Sequence, residues 1–464
     1  MTAEITPIKT AAESGLAEAF VALRGRLADG GAVMARRKAA FGRFEAQGLP
    51  HRRIEEWKYT DLRALMRDAK PLAGAPDAHA KARAKSAGAV FAATSARRIV
   101  FVDGALVPEL SDLVALDPGL SIHSLADALS RGHPPPYLSL ASPPSSPASG
   151  QGEGREDKGL GAAGLAEGNV AYELNTAFMS DGAVVKVQAG AHIARPLHLV
   201  FVYGARRATA LFSRSVVILE AGAGLTLLES HEGPDGIDYQ VNTALDLVVG
   251  DGARLERIKV TAEGGDALHL ATLSAVIGAK ANVSDFAFLT GGLVVRNQLF
   301  VRCAGAGTTL DLGGASLLKG RQHGDTTLLV DHAAGGCQGR ELFKSVLDGG
   351  GRGVFQGKII VRPGAQKTDS RMMTRALLLS DDAEADNKPE LEIFADDVQC
   401  GHGATSGALD ENLKFYLMAR GIPEKEAEAL LIQSFVGEAI ETVRLEGVRD
   451  ALKAVTLQWL ARRP

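Results

Sequence analysis

The chain has 464 residues, a formal net charge of −4, 5% aromatic residues and 53 glycines. That length can bury a large core and divide into more than one domain. The mild acidity excludes an electrostatic footprint for nucleic acid, and no apolar run reaches membrane-spanning length.

Leu16, Phe20, Leu23 and Leu27 recur at three- and four-residue spacing, which predicts one apolar helical face from about Ala11. Gly30-Gly31 breaks it, and Phe41 and Phe44 continue a second helix to Gly48-Leu49-Pro50. Ile54 to Leu65 reads as a short helical segment with Trp57 and Tyr59 as core anchors. Arg98 to Val102, then Asp103-Gly104, reads as a strand and hairpin turn. Residues 1–133 are therefore expected to be helical with a short strand segment. In residues 134–168 Pro, Ser, Gly and Ala dominate, so a flexible insertion without assigned function is expected.

Over residues 169–407 strand-like runs are punctuated by Gly corners. These are Gly190-Ala191, Gly222-Ala223, Gly252-Ala253, Gly278-Ala279, Gly305-Ala306, Gly335-Gly336 and Gly364-Ala365, about 30 residues apart. One such coil cannot bury its own apolar face, but stacked coils can, which is the logic of a solenoid. Short strands with Gly corners point to a β-helix, with a sandwich of similar turn spacing as the alternative. Residues 408–464 turn helical: Asp410 can cap a helix to Arg420, Gly421 suits its end, and Pro423 suits the next start. Ala427, Leu430, Leu431, Phe435 and Ile440 make an apolar stripe there.

Several chemistries are missing. No Gly-Lys-Ser/Thr phosphate loop, Gly-x-Ser-x-Gly elbow or dinucleotide fingerprint is present. Gly349 to Gly353 is glycine-rich but flanked by strands, and reads as a corner. Cys303, Cys337 and Cys400 lie far apart without a CxxC pair, so a reducing compartment is expected. The N-terminus has no basic segment followed by an apolar core, and the reading is a soluble cytoplasmic protein without membrane contact. His192, His198, His323 and His332 read as surface or satisfied core histidines, and Cys303 and Cys337, about one coil apart, as packing residues.

The run Pro389 to Gly407 carries the densest chemistry. Asp396, Asp397, Cys400 and His402 fall within seven positions, behind a strand-like lead-in Leu391 to Phe394. Acid, thiol and imidazole together can bind a soft or borderline metal or accept sulfur. A cysteine beside a histidine is also an ordinary buried pair at a tight corner.

This run, the earlier Gly48-Leu49-Pro50 with Glu55 to Leu62, and the later Phe415-Tyr416-Leu417 with Arg420-Gly421-Ile422 appear in one order. Together they resemble the SufB/SufD family of the SUF iron–sulfur cluster assembly machinery, on its SufD side, from about Leu49 to Val443. The resemblance implies a mainly β fold, a right-handed parallel β-helix flanked by N-terminal and C-terminal helical domains. It implies a non-catalytic scaffold that pairs with a SufB-like subunit through the central domains and docks a SufC-like ATPase. A nascent cluster would form transiently at the subunit interface, with no tightly bound cofactor and with a reduced flavin allowed in the complex. His402 maps to the family's interface histidine and would offer an imidazole to iron, while Cys400 would assist or pack. Arg420, Gly421, Ile422, Leu431 and Phe435 would contact the ATPase, whose closure would move the helical ends and open the interface. Alone, the chain would be free to form a homodimer. Two other readings are a polysaccharide-acting β-helix enzyme and the paralogous SufB scaffold. Against the first, acids are scattered and sugar-stacking aromatics few. Against the second, no cysteine precedes Cys303.

Overall fold

The computed structural model describes residues 9–25, 31–131 and 164–463. Apart from residues 164–168, the expected insertion at 134–168 lies outside them. Two sheets dominate. One has ten strands, from Ala105–Leu106 at one end to Gln399–Gly407 at the other; the second has nine, from Leu120–Ser124 to Glu384–Ile393. From Ala183–Val187 onward neighbours within each sheet are alternate strands of the chain, so each coil contributes one strand to each sheet. Pairing is parallel along the stack, as where Leu268–Ile277 lies beside Val294–Cys303 in a ten-residue register. The result is a parallel β-solenoid of about eight turns flanked by helices. The sandwich alternative fails because antiparallel pairing is confined to two short strands at the first end.

The corners explain the glycine spacing. Where coils turn, one residue takes left-handed backbone, as Gly222 does at φ 69 and Gly252 at φ 65, a region nearly free of cost only for glycine. Its N–H bonds the carbonyl of the next coil: Gly222 to Asp251 at 2.8 Å, Gly252 to Ala279 at 2.8 Å, Gly336 to Gln366 at 2.8 Å. At Lys280 (φ 53) and Lys367 (φ 63) a lysine holds the equivalent place. The neighbouring Gly278 and Gly364 marked these corners in sequence without being the left-handed residue.

Three apolar clusters set the layers. The lumen is filled by inward residues such as Leu199, Val217, Leu247, Ile277, Val301 and Ile359. The outer face of the nine-stranded sheet is covered by helices Ala11–Arg24, Gly31–Gln47 and Val170–Phe178. Helix Val170–Phe178 is buried along its whole length. Beneath it Arg214, fully buried, bonds Asp246 at 2.8 Å and Thr176 at 2.8 Å. The outer face of the ten-stranded sheet receives Ile432, Val436, Ile440, Val448, Leu452 and Trp459 from the C-terminal helices Glu424–Ile440 and Glu446–Ala461. Covered on both faces, central strands are buried along nearly their whole length, as in Ala210–Leu219 and Gln240–Val249, rather than on alternate residues.

The segment around Glu55 also docks outside. Trp57 is 3% exposed and lies against the Arg296 guanidinium, 4.0 Å from ring centroid, while Arg296 pairs with Asp325. Arg97–Val102, from the region expected to be mostly helical, is itself a rung of the ten-stranded ladder, paired with Leu197–Val202.

Candidate functional site

The stack ends abruptly. Among the described residues, strand Gln399–Gly407 pairs only with Asp369–Leu378, and Glu384–Ile393 only with Arg352–Val361. No residue of either terminal strand is buried. Each therefore presents an open edge of nine or ten residues.

Register decides which side chains face the lumen. Cys400 sits on Ser370 and His402 on Met372. One coil further in, those positions are Gly339 and Glu341. Ser370, Met372 and Glu341 are buried. Cys400 and His402, two apart on one strand, thus end two inward columns and share the lumen face. Opposite them, Leu391 and Ile393 end the inward columns of the other sheet above Ile359 and Val361. Ile393 is 42% and Phe394 58% exposed, so apolar surface lies bare at this end of the stack.

Cys400 is a free, half-buried thiol packed against the lumen core. Burial pushes its pKa up, partly offset by a backbone hydrogen bond at Ser370, so it is a neutral thiol at neutral pH. His402 is exposed. Asp397 pairs with Lys367, and its N–H donates to Gln366 Oε1 at 3.0 Å. Asp396 and Asp397 are both exposed at the turn into the strand. The run thus brings Cys400 and His402 together and leaves the two carboxylates at the rim.

One rung deeper lies a polar group that sequence reasoning did not assemble. Ser370 Oγ is 3.2 Å from His332 Nε2 and 3.5 Å from Glu341 Oε1. Burial raises the Glu341 carboxyl to about 8, so it holds its proton at neutral pH. His332 is fully buried rather than on the surface. Cys303 and Cys337 are both buried, and the Cys337 thiol reaches the Ala334 carbonyl at 3.2 Å. The only sequence signal was the near-coil spacing of the cysteines.

The backbone of the terminal strand is directional. Gln399 N–H donates to Thr368 O at 2.8 Å. In a parallel ladder alternate residues bond the same neighbour, so Cys400, His402, Ala404 and Ser406 turn their N–H and C=O to the open side. On the other edge Glu384 N–H donates inward to Gly351 O, which puts Pro389 at an outward position without a donor. The Gln399–Gly407 edge keeps its donors. Lys388 of the other terminal strand pairs with Glu55, tying the N-terminal signature to the last coil.

Beyond the strand, helix Glu411–Met418 is capped by Asp410, which accepts from Asn412 N at 2.9 Å and Leu413 N at 3.1 Å. None of its residues is buried; Leu413, Phe415, Tyr416 and Met418 are exposed, with Phe415 at 72%. Arg420 lies over the Tyr416 ring, 3.3 Å from its centroid, and Gly421 ends the turn at φ 85. Ile422 and Leu431 are half-buried. Phe435 packs on the solenoid with Lys344 over its ring at 4.4 Å, and Lys344 donates to its carbonyl at 2.8 Å. Of the apolar residues flagged for a partner, Phe435 thus seats its own helix, whereas the exposed aromatics lie one helix earlier.

Comparison with known proteins agrees with this architecture. The family described as SUF system FeS cluster assembly, SufBD core domain, matches residues 201–435, and the SufBD protein N-terminal region matches residues 27–134. An iron–sulfur cluster assembly SufBD family protein of Synechocystis is 29% identical over 417 residues, 87% of this chain and 86% of the relative. The iron–sulfur cluster assembly protein SufD of Escherichia coli is 29% identical over 416 residues, 88% of each. A SufBD family protein of Mycobacterium bovis is 33% identical over 308 residues, 65% of this chain and 76% of the relative.

Proposed function

The chain belongs to the SufBD family of the SUF iron–sulfur cluster assembly system, and from that premise we propose that it is a SufD-type scaffold rather than a catalyst. Its open terminal coil pairs with a SufB-like subunit, and its C-terminal helices dock a SufC-like ATPase. The observation that carries this reading is the unpaired edge Gln399–Gly407, with Cys400 and His402 on its lumen side. A strand from the partner would add to that edge through main-chain hydrogen bonds, and Ile393 and Phe394 would be covered at the same time.

A nascent cluster is the cargo at this junction. His402 offers an imidazole nitrogen to iron, whereas the raised Cys400 thiol must first give up its proton. Cys400 becomes a strong ligand only as a thiolate, which a bound metal would favour. The exposed side of helix Glu411–Met418, with the Arg420-Gly421-Ile422 turn, is the surface offered to the ATPase, and Leu431 lies at its margin. Phe435 acts through the seating of the following helix. Movement of these helices by the ATPase would be transmitted to the last coil, because Lys344 and Arg375 of its neighbouring strands both bond Glu438.

The test is co-expression of the tagged chain with the SufB-like and SufC-like proteins of the same source. A stable three-component complex is expected. His402→Ala should leave the complex intact and lower its cluster yield, and Phe415→Ser should release the ATPase alone. A chain that purifies without either partner would contradict the scaffold reading.

A further inference from the structure

The middle of the lumen is polar, far from the residues used above. His231 lies on strand Gly224–Glu232, Glu263 at the corner after Arg254–Ala262, and His269 on Leu268–Ile277. Successive coils therefore bring them together. Their exposures are 1%, 6% and 0%. One donor atom from each lies within 4.8 Å of the others. His269 Nδ1 is 2.8 Å from Glu263 Oε2, and its Nε2 is 2.9 Å from Thr243 Oγ1.

His231 is different. Among the described residues neither of its ring nitrogens has a hydrogen-bond partner. Its Nε2 is 3.6 Å from Glu229 Oε2, beyond hydrogen-bond length. The ring stacks on Phe201 at 4.7 Å and meets the His269 ring edgewise at 5.0 Å, so its position is fixed. Leaving a buried polar group unpaired is destabilising, so a ring held this way calls for a partner. A cavity of about 10 Å³ has His231, Thr243 and Glu263 in its wall, and a second of about 30 Å³ also has His231 in its wall. The smaller is on the scale of a single water-sized occupant.

The surrounding charges are already matched. Arg257 is bonded by Glu229 at 2.7 Å and Asp285 at 2.5 Å, and Lys259 by Asn297 at 2.9 Å. Burial holds His231 down at about 4 and lowers His269 as well, so both imidazoles are neutral near pH 7. Burial works to raise Glu263, but its interactions with His269, His231 and Lys259 outweigh it and hold the carboxyl below its ordinary value.

We propose that His231, Glu263 and His269 form a buried structural site for one borderline divalent cation of the Zn²⁺ class. Two imidazoles and a carboxylate are a donor set that such ions take. Donors around a tetrahedral ion with bonds of about 2.0–2.1 Å stand about 3.3 Å apart, so small rotamer adjustments close the site. The ion would replace the Glu263–His269 hydrogen bond and give His231 its missing partner. With all three donors buried, it enters as the coils close during folding. This site is independent of the Cys400–His402 junction and of the scaffold reading.

The full-length chain is expressed in zinc-supplemented medium and its metal content measured by mass spectrometry. About one zinc per chain is expected, unchanged in Cys400→Ser/His402→Ala and lost in His231→Gln. Glu263→Gln, nearly isosteric, is the second variant, with circular dichroism to verify folding. Protein expressed with Co²⁺ should show the visible absorption of a tetrahedral nitrogen–oxygen site, a readout that needs no variant. Wild-type protein without stoichiometric metal and without that absorption would overturn the site. So would zinc that leaves with Cys400→Ser/His402→Ala but stays in a folded His231→Gln.

Discussion

The two ends of the solenoid are built to opposite rules. At the first end the sheets finish in antiparallel strands of two and five residues, Ala105–Leu106 and Leu120–Ser124. Short, reversed edge strands are a poor template for another chain. The early coils are also backed by helix Val170–Phe178 over the buried Arg214–Asp246 pair. At the last end two long parallel strands carry no buried residue, and one retains an uninterrupted row of outward donors. Stability is concentrated where nothing further can add, and unsatisfied backbone where something can.

The contrast can be broken from either side. The largest effect is expected at the backed end. Asp246→Ala leaves the Arg214 guanidinium buried without its counter-charge, which should cost about 3–5 kcal/mol in calorimetric unfolding without altering partner affinity in the cold. At the open end, Ala404→Pro removes an outward N–H and should weaken binding of the SufB-like subunit at least tenfold, about 1.4 kcal/mol, with little loss of stability. Thr405→Pro, one residue on, removes an N–H committed to the ladder and should destabilise the chain itself.

The rung beneath the site gives a pH signature. Glu341 has a folded pKa of about 8 against an ordinary 4.5, so folding holds a proton that the unfolded chain releases. Its contribution is harmless below about pH 4.5, erodes stability as pH rises, and levels off above about 8. Glu341→Gln should therefore gain thermal stability over wild type progressively across that window, by a few kcal/mol at its top. The smallest effect is at a corner: Lys280→Gly relieves a left-handed lysine and should stabilise by about 0.5–1 kcal/mol in denaturant unfolding.

The architecture was legible because its causes are local. Glycine corners mark the coils, the periodicity of Leu16 and Phe20 marks the first helix, and Asp410, Gly421 and Pro423 bracket the C-terminal ones. Trp57 was readable as an anchor; it is held by the apolar cluster of the N-terminal helices and by its cation–π contact with Arg296. The nearness of Cys400 to His402 in the run was legible; the face they share came only with the strand register. What lies behind them was not legible. Ser370, Glu341 and His332 meet through inter-coil register, and coil length varies enough that no fixed spacing reveals it. The same holds for His231, Glu263 and His269. The stripe Leu430, Leu431 and Phe435 was ambiguous for another reason: a helix with apolar residues on several sides does not announce which side the solenoid takes.

The most direct measurement is amide hydrogen exchange of the chain with and without the SufB-like subunit. The account predicts new protection in Gln399–Gly407, strongest at the outward amides of His402, Ala404 and Ser406, and none in Ala105–Leu106. A stable complex in which Gln399–Gly407 exchanges as fast as in the free chain would contradict it.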